Sequence, residues 1–193
     1  MSKKIYQFKI SLKGISPLIW RRIQVPENYD FYELHVAIQD AMGWYDYHLH
    51  QYEIINPIIG EPEIISMPDD ECDIKITDAR KAKISKYFKI IKEAKYEYDF
   101  GDAWEHKIVL EKIIPAVEGE KYPKCIAGKR ACPPEDCGGV WGYEELVDIM
   151  SNPKHREYKE RKEWLGGELE SEKFDPKAVI FEDPKERLKL RLE

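Results

Sequence analysis

Lys95-Tyr-Glu-Tyr-Asp-Phe-Gly-Asp-Ala-Trp-Glu-His-Lys-Ile-Val-Leu110 is the stretch on which the fold turns. Apolar and polar side chains alternate on both sides of Gly101-Asp102, the period of two expected of half-buried strands flanking a tight turn. The length of that turn decides the pairing. A two-residue turn would set Tyr98 against Glu105 and Phe100 against Ala103, whereas a three-residue turn over 101–103 pairs Phe100 with Trp104, Tyr98 with His106 and Tyr96 with Ile108. The longer turn gives one continuous aromatic face and is the expected register. Its other face then sets Glu97 against Lys107, which attracts, and Asp99 against Glu105, which repels unless a cation or donor lies between them.

The same period recurs at the N-terminus. Tyr6, Phe8, Ile10 and Leu12 share one face, and after the Gly14-Ile-Ser-Pro17 turn Ile19, Arg21, Ile23 and Val25 share another, up to Pro26. A helix follows. Asp30 with Glu33 three residues on forms a capping box, Phe31, Leu34, Ile38 and Ala41 recur on one side, and Gly43 supplies the stop. Hairpin then helix is a β-grasp-like opening. Residues 48–55 resume the strand period with His48, His50 and Tyr52 on one face, 56–72 read as a long loop, and 74–92 mix strand and helix signals. Toward the C-terminus the pattern predicts helices over 143–150, from Pro153 to Trp164, and from Pro184, with Phe174-Asp-Pro-Lys-Ala-Val-Ile-Phe181 packing back on the core. The expected fold is α+β: a mixed or antiparallel sheet built from hairpins, helices mainly in the C-terminal third, and a single domain over 1–193.

Composition narrows the function classes. Of 193 residues, 42% are hydrophobic and 35% charged, with a net charge of -6, so a packed core with an acidic, well-solvated surface is expected. An acidic chain lacks the sequence-independent attraction to phosphate on which nucleic-acid binders rely, and contact with nucleic acid would need a local basic patch. Lys81, Lys83, Lys86, Lys89 and Lys92, and then Lys154 to Lys162, are the candidates, and both runs also read as solvated helix faces. With no apolar segment of signal-peptide or membrane-span length, a cytoplasmic protein without membrane contact is expected. Reduced thiols in that compartment leave metal binding or buried packing, not disulfides, for the four cysteines.

Three of the cysteines fall in Cys125-Ile-Ala-Gly-Lys-Arg-Ala-Cys-Pro-Pro-Glu-Asp-Cys-Gly-Gly-Val-Trp141, a turn-rich stretch that reads as a site. Thiolate and imidazole are ligands that zinc prefers, so Cys125, Cys132 and Cys137 with a fourth ligand from His48, His50 or His106 form one candidate zinc site. Their spacings lack the short Cys-x2-Cys form, and cysteine is also a common core residue. A second reading takes the carboxylates Asp99, Asp102, Glu105, Glu135 and Asp136 near His106 as a hard-cation or acid-base centre, provided the two motifs meet in space. Against it, Asp102 serves the turn and the Glu135-Asp136 pair accepts hydrogen bonds within its own loop. Trp44, Trp104 and Trp141 line either a ligand groove or the core, and Cys137 before two glycines is a candidate reactive thiol without an adjacent base.

Pro17-Leu-Ile-Trp-Arg-Arg, His48-Leu-His-Gln-Tyr, Tyr96-Glu-Tyr-Asp-Phe-Gly-Asp-Ala-Trp-Glu-His and Cys132-Pro-Pro-Glu-Asp-Cys-Gly-Gly, in that order, resemble the plasmid pRiA4b ORF-3-like family over most of the chain. The resemblance implies no established activity; members are sometimes labelled resolvase-like or passengers of transposable elements. The chain itself does not supply recombinase chemistry. Ser2, Ser11 and Ser16 sit in no arginine-rich setting, His155-Arg156 is not a His-x-x-Arg element, and no helix-turn-helix is legible. Without a nucleophile-base constellation, phosphate loop or dinucleotide fingerprint, the expectation is a binding or accessory protein with a protein partner, in a mobile-element or host-defence setting; a metal-dependent enzyme using the Cys/Glu/Asp/His cluster and a structural zinc domain are the alternatives.

Overall fold

A computed structural model describes residues 4–68 and 75–192. Its elements are β1 (Lys4–Leu12), β2 (Trp20–Pro26), α1 (Phe31–Met42), β3 (His50–Ile55), β4 (Pro62–Ser66), β5 (Ile76–Asp78), α2 (Ile84–Tyr87), β6 (Glu93–Tyr98), β7 (Trp104–Pro115), β8 (Lys124–Lys129), α3 (Gly139–Ser151), α4 (Tyr158–Leu165) and α5 (Pro184–Leu192). The strands form one eight-stranded sheet in the order β5-β4-β3-β6-β7-β1-β2-β8. Every neighbouring pair is antiparallel except β4 with β5. The fold is therefore mixed α+β, as the sequence pattern predicts.

One face of the sheet is covered and the other is wet, the usual solution for an antiparallel sheet. Tyr6, Phe8, Ile10 and Leu12 of β1 are fully buried, as are Ile19, Ile23 and Val25 beside them and Phe31, Leu34 and Ile38 of α1. Burying each such side chain contributes about 2 kcal/mol, and the set fixes which face of every strand turns inward. The outer face carries a polar ladder: Gln24 donates to Gln7 and Gln7 to Glu111, and Arg22 grips Glu111 through both Nε and Nη2. Arg21 is a guanidinium buried on the inner face. Its Nε donates to the Ala41 carbonyl at 2.8 Å, and Phe174 covers its plane 3.6 Å away, so the tail does pack back on the core.

The central hairpin keeps its predicted face but not its register. Tyr98 pairs with Trp104, Tyr96 with His106 and Ala94 with Ile108, two residues off the expected pairing, and Phe100 is left exposed. The cause is a five-residue loop. Asp99 and Ala103 both take left-handed backbone (φ 58 and 53), the Ala103 N–H bonds the Asp99 carbonyl at 2.6 Å, and Asp99 Oδ1 accepts the N–H groups of Gly101 and Asp102. The outer face then sets Glu97 against Glu105 and Lys95 against Lys107. Lys95 relieves both like-charge pairs, 2.9 Å from Glu105 on the diagonal and 2.9 Å from Glu53 directly opposite it on β3.

Other boundaries also move. The expected loop over 56–72 contains β4 among its described residues, the described residues 75–92 of the undecided 74–92 stretch contain β5 and α2, and Cys125 belongs to edge strand β8 instead of a loop. The third helix starts at Gly139, not Tyr143, and the fourth at Tyr158 because Pro153 to Glu157 form turns. Of the basic runs, Lys81 and Lys83 pair with Asp78 and with Asp30 and Glu33, and Lys162 pairs with Glu168, which fits solvated faces better than an anion-binding patch.

The α1 cap is formed as the sequence requires: Asp30 Oδ1 accepts the Glu33 N–H at 2.9 Å and Glu33 Oε2 accepts the Asp30 N–H at 2.8 Å. Asp30→Ala is expected to lower unfolding free energy by about 1 kcal/mol in urea denaturation, with Asp30→Asn retaining most of it. A loss below about 0.3 kcal/mol would show that tertiary packing alone holds the start of α1.

Candidate functional site

Three loops converge at one end of the sheet. Residues 43–49 lead from α1 into the start of β3, residues 99–103 join the end of β6 to the start of β7, and residues 130–138 leave β8 and enter α3. The Tyr98 side chain ties them together. Its hydroxyl accepts the Tyr47 N–H at 3.0 Å and donates to Glu135 Oε1, while Glu135 Oε2 accepts the Tyr45 N–H at 3.1 Å. Burial, and then the Glu135 charge, hold the Tyr98 phenol far above its ordinary pKa, so it is a donor at every physiological pH. Trp44 stacks on Tyr98 with ring centroids 5.0 Å apart and donates its indole N–H to the Pro133 carbonyl at 3.0 Å.

Backbone contacts complete the junction. The Asp99 N–H bonds the Leu49 carbonyl at 2.8 Å, and Asp102 Oδ2 accepts the Gly138 N–H at 3.1 Å. At Gly139, φ +66, a Cβ would stand 2.5 Å from the Asp102 carbonyl oxygen, so only glycine lets the loop lie this close to the turn. The two motifs that the carboxylate reading needed in proximity are in contact here.

The histidine among those carboxylates is His48, not His106. Its Nε2 lies 3.0 Å from Asp136 Oδ1 and 3.6 Å from Asp99 Oδ2. Asp99 is buried and Asp136 exposed, both on left-handed backbone (φ 58 and 57) that Asp tolerates better than most residues. Behind this group lies a second one, His35, Asp46 and His50, all buried. His35 Nε2 meets Asp46 Oδ1 at 2.8 Å, its Nδ1 meets the Tyr96 hydroxyl at 2.8 Å, and Gln39 donates to that hydroxyl at 2.9 Å. The His50 ring lies flat on His35, centroids 3.4 Å apart and planes within 7°. A chain from Gln39 through Tyr96 and His35 to Asp46 is self-consistent with a neutral imidazole, and it fixes the loop that presents His48.

The remaining candidates are placed elsewhere. His106 lies in the core between Trp44 and Tyr96, where burial pushes its pKa down to about 4, and it belongs to neither three-residue group. Glu105 turns to Lys13 and Lys95 on the outer face. Cys125 on β8 and Cys132 and Cys137 in the following loop pack against the hydrophobic core, and among the described residues no cysteine joins a group of three metal-ligating side chains. Burial, reinforced by Asp102 and Asp136, raises the Cys137 thiol to about 12, which opposes the reactive-thiolate reading. Of the tryptophans, Trp44 and Trp104 are core and Trp141 is 83% exposed. Sequence reasoning missed His35 and Asp46. The available signals were a polar residue between Leu34 and Ile38 on the apolar side of the helix, and the period of two that joins Asp46 to His48 and His50.

A mostly antiparallel sheet with one covered face, ending in a loop junction of carboxylates, imidazole and aromatic rings, defines a class of α+β protein by architecture without naming an activity. The chain belongs to the plasmid pRiA4b ORF-3-like family, whose model matches residues 4–181. It is 34% identical over 183 residues to the uncharacterized protein y4hQ of Sinorhizobium fredii (strain NBRC 101917 / NGR234), covering 94% of this chain and 89% of that one. A crystal structure of a protein of unknown function from Methanosarcina mazei Go1 superposes with a TM-score of 0.87 at 52% identity, covering 94% of this chain and all of that one. Among the described residues, no helix is long and apolar enough to cross a membrane.

The buried His106 carries a pH prediction. Its folded pKa of about 4 lies below the unfolded value of about 6.5, so the unfolded chain binds the extra proton first and stability falls as pH drops through that window. The loss attributable to His106 is expected to approach about 3 kcal/mol by pH 4. Comparing urea unfolding of wild type and His106→Gln between pH 7 and 4 checks it: the variant should start less stable and show the shallower acid slope, and parallel slopes would exclude this origin.

Proposed function

We propose that this chain is a binding module, an accessory protein that recognises a protein partner through the loop end of its sheet. One observation carries the reading. Every exposed large aromatic side chain among the described residues, Tyr45, Tyr47, Phe100, Trp141 and Trp164, stands on or beside the converging loops. Tyr45 and Tyr47 stack on each other at 5.5 Å, and Trp164 borders a small cavity with Cys137 and Gly142. Aromatic rings with a polar handle on a rigid platform are the residues that dominate binding energy at protein interfaces, and the platform here is fixed by the Tyr98 and Trp44 contacts. The carboxylates among them favour a partner with an apolar centre and a basic rim over a polyanion.

Two double variants test this. Tyr47→Ser with Trp141→Ser strips the proposed surface, while Ile58→Ser with Ile59→Ser alters exposed apolar residues in the β3–β4 turn at the opposite end of the sheet. In covalent cross-linking in the native cell, a partner recovered with wild type and with the Ile58/Ile59 control is expected to fall at least about tenfold with the Tyr47/Trp141 variant, at matched melting temperature. Equal recovery with both variants would remove the loop end as the recognition surface.

A further inference from the structure

We propose that His48, Asp99 and Asp136 form a site for a divalent first-row metal ion, of the Mn2+ or Zn2+ class. Ligand atoms about 2.0–2.2 Å from a common ion, at tetrahedral to octahedral angles, lie about 2.8–3.6 Å apart. The two separations from His48 Nε2 are 3.0 and 3.6 Å, and the three ligand atoms all lie within 4.8 Å of one another. One imidazole nitrogen with two carboxylate oxygens is a borderline donor set, matched to manganese, iron or zinc more than to the soft ions that thiols select.

The site is preorganised on the side that matters. Asp99 is buried, and its Oδ1 is occupied by the Gly101 and Asp102 N–H groups at 2.9 and 3.3 Å, so its Oδ2 is aimed at His48. Outer-shell hydrogen bonds that orient a carboxylate in this way are what metal sites use to fix their ligands. Glu135, next to Asp136, is held away by Tyr98 and the Tyr45 N–H. Charge points the same way. An imidazole nitrogen carries one proton and serves one carboxylate; at 3.6 Å the Asp99 oxygen lies beyond hydrogen-bond range, whereas a dication between the three atoms neutralises both acids at once. The exposed Asp136 and part-exposed His48, with side-chain exposures of 66% and 29%, leave coordination positions facing solvent.

The buried neighbour His35, Asp46 and His50 does not offer the same chemistry. Imidazole lone pairs lie in the ring plane, and two rings stacked within 7° direct theirs in parallel instead of toward one point. Both nitrogens of His35 are also engaged, by Asp46 and Tyr96. That group is scaffolding for the loop carrying His48, and the ion belongs at the outer one.

The ion site lies within the proposed recognition surface but stands apart from it, because ion binding is read on the isolated protein. Tag-free, chelator-stripped protein is titrated with MnCl2 and, separately, ZnCl2, following heat and the fluorescence of the tryptophans. One ion per chain with Kd below about 100 μM is expected, together with a melting temperature that rises with ion concentration. Asp136→Asn is the principal variant, since Asn also accepts left-handed backbone and the position is exposed; it should weaken binding at least tenfold while leaving the metal-free melting temperature unchanged. His48→Gln should weaken it comparably. Absence of binding at 1 mM ion, or affinities for both variants within twofold of wild type, would overturn the assignment. Either result leaves the cross-linking comparison unaffected, so the two readings fail separately.

Discussion

The Tyr98 hydroxyl is the point through which the loop end of this protein is held. It sits at the end of β6, takes one hydrogen bond from the loop before β3 and gives another to the loop after β8, so segments some fifty and forty residues away in sequence meet on a single oxygen. A buried phenol left without partners costs about as much as the whole net contribution of a hydrogen bond, so the two bonds made by Tyr98 favour this one arrangement of the loops. The Glu135 carboxylate in turn takes the Tyr45 N–H, so position and charge are settled together. What lies above, including His48, Asp99 and Asp136, inherits its geometry from that anchor and from the indole of Trp44 stacked on the same ring.

The strength of this arrangement comes from below. The sheet buries Tyr52, Tyr96, Tyr98 and Trp104 on one face under α1, and these large rings leave few alternative packings. The His35 network adds specificity to that bulk: it ties α1 and β6 to Asp46 through directional contacts, which a core built entirely of apolar groups would not supply to the 43–49 loop. Burial energy and polar selection are divided between neighbouring residues of the same elements.

Much of this was legible in the sequence, and the boundary of legibility is physical. The inward faces of β1, β2 and β7, and the capped helix from Asp30 to Gly43, follow from periods of two and 3.6 and from short-range capping chemistry. The hairpin register did not follow, because left-handed backbone is only weakly signalled by an aspartate at position 99 and not at all by an alanine at 103. The same holds for β8, whose Cys125-Ile-Ala-Gly-Lys129 stretch has weak strand propensity and pairs only because β2 offers it an edge. At the site, the residue types were right and their grouping was not. His48, Asp99 and Asp136 belonged to two separate readings, and only tertiary contact joins them while sending His106 and the cysteines into the core.

The Phe174 segment has a further consequence for how this sheet keeps to itself. β8 is an outer strand, and an outer strand presents a row of unused main-chain donors and acceptors on which a second sheet can grow. The returning chain covers it: the Ala131 N–H is taken by the Ser171 carbonyl, the Phe174 ring presses onto Gly128 where any side chain would collide with it, and the same ring shields the Arg21 guanidinium. The segment thereby lies over an edge that would otherwise stay open to a second sheet, and its position hinders edge-to-edge pairing there.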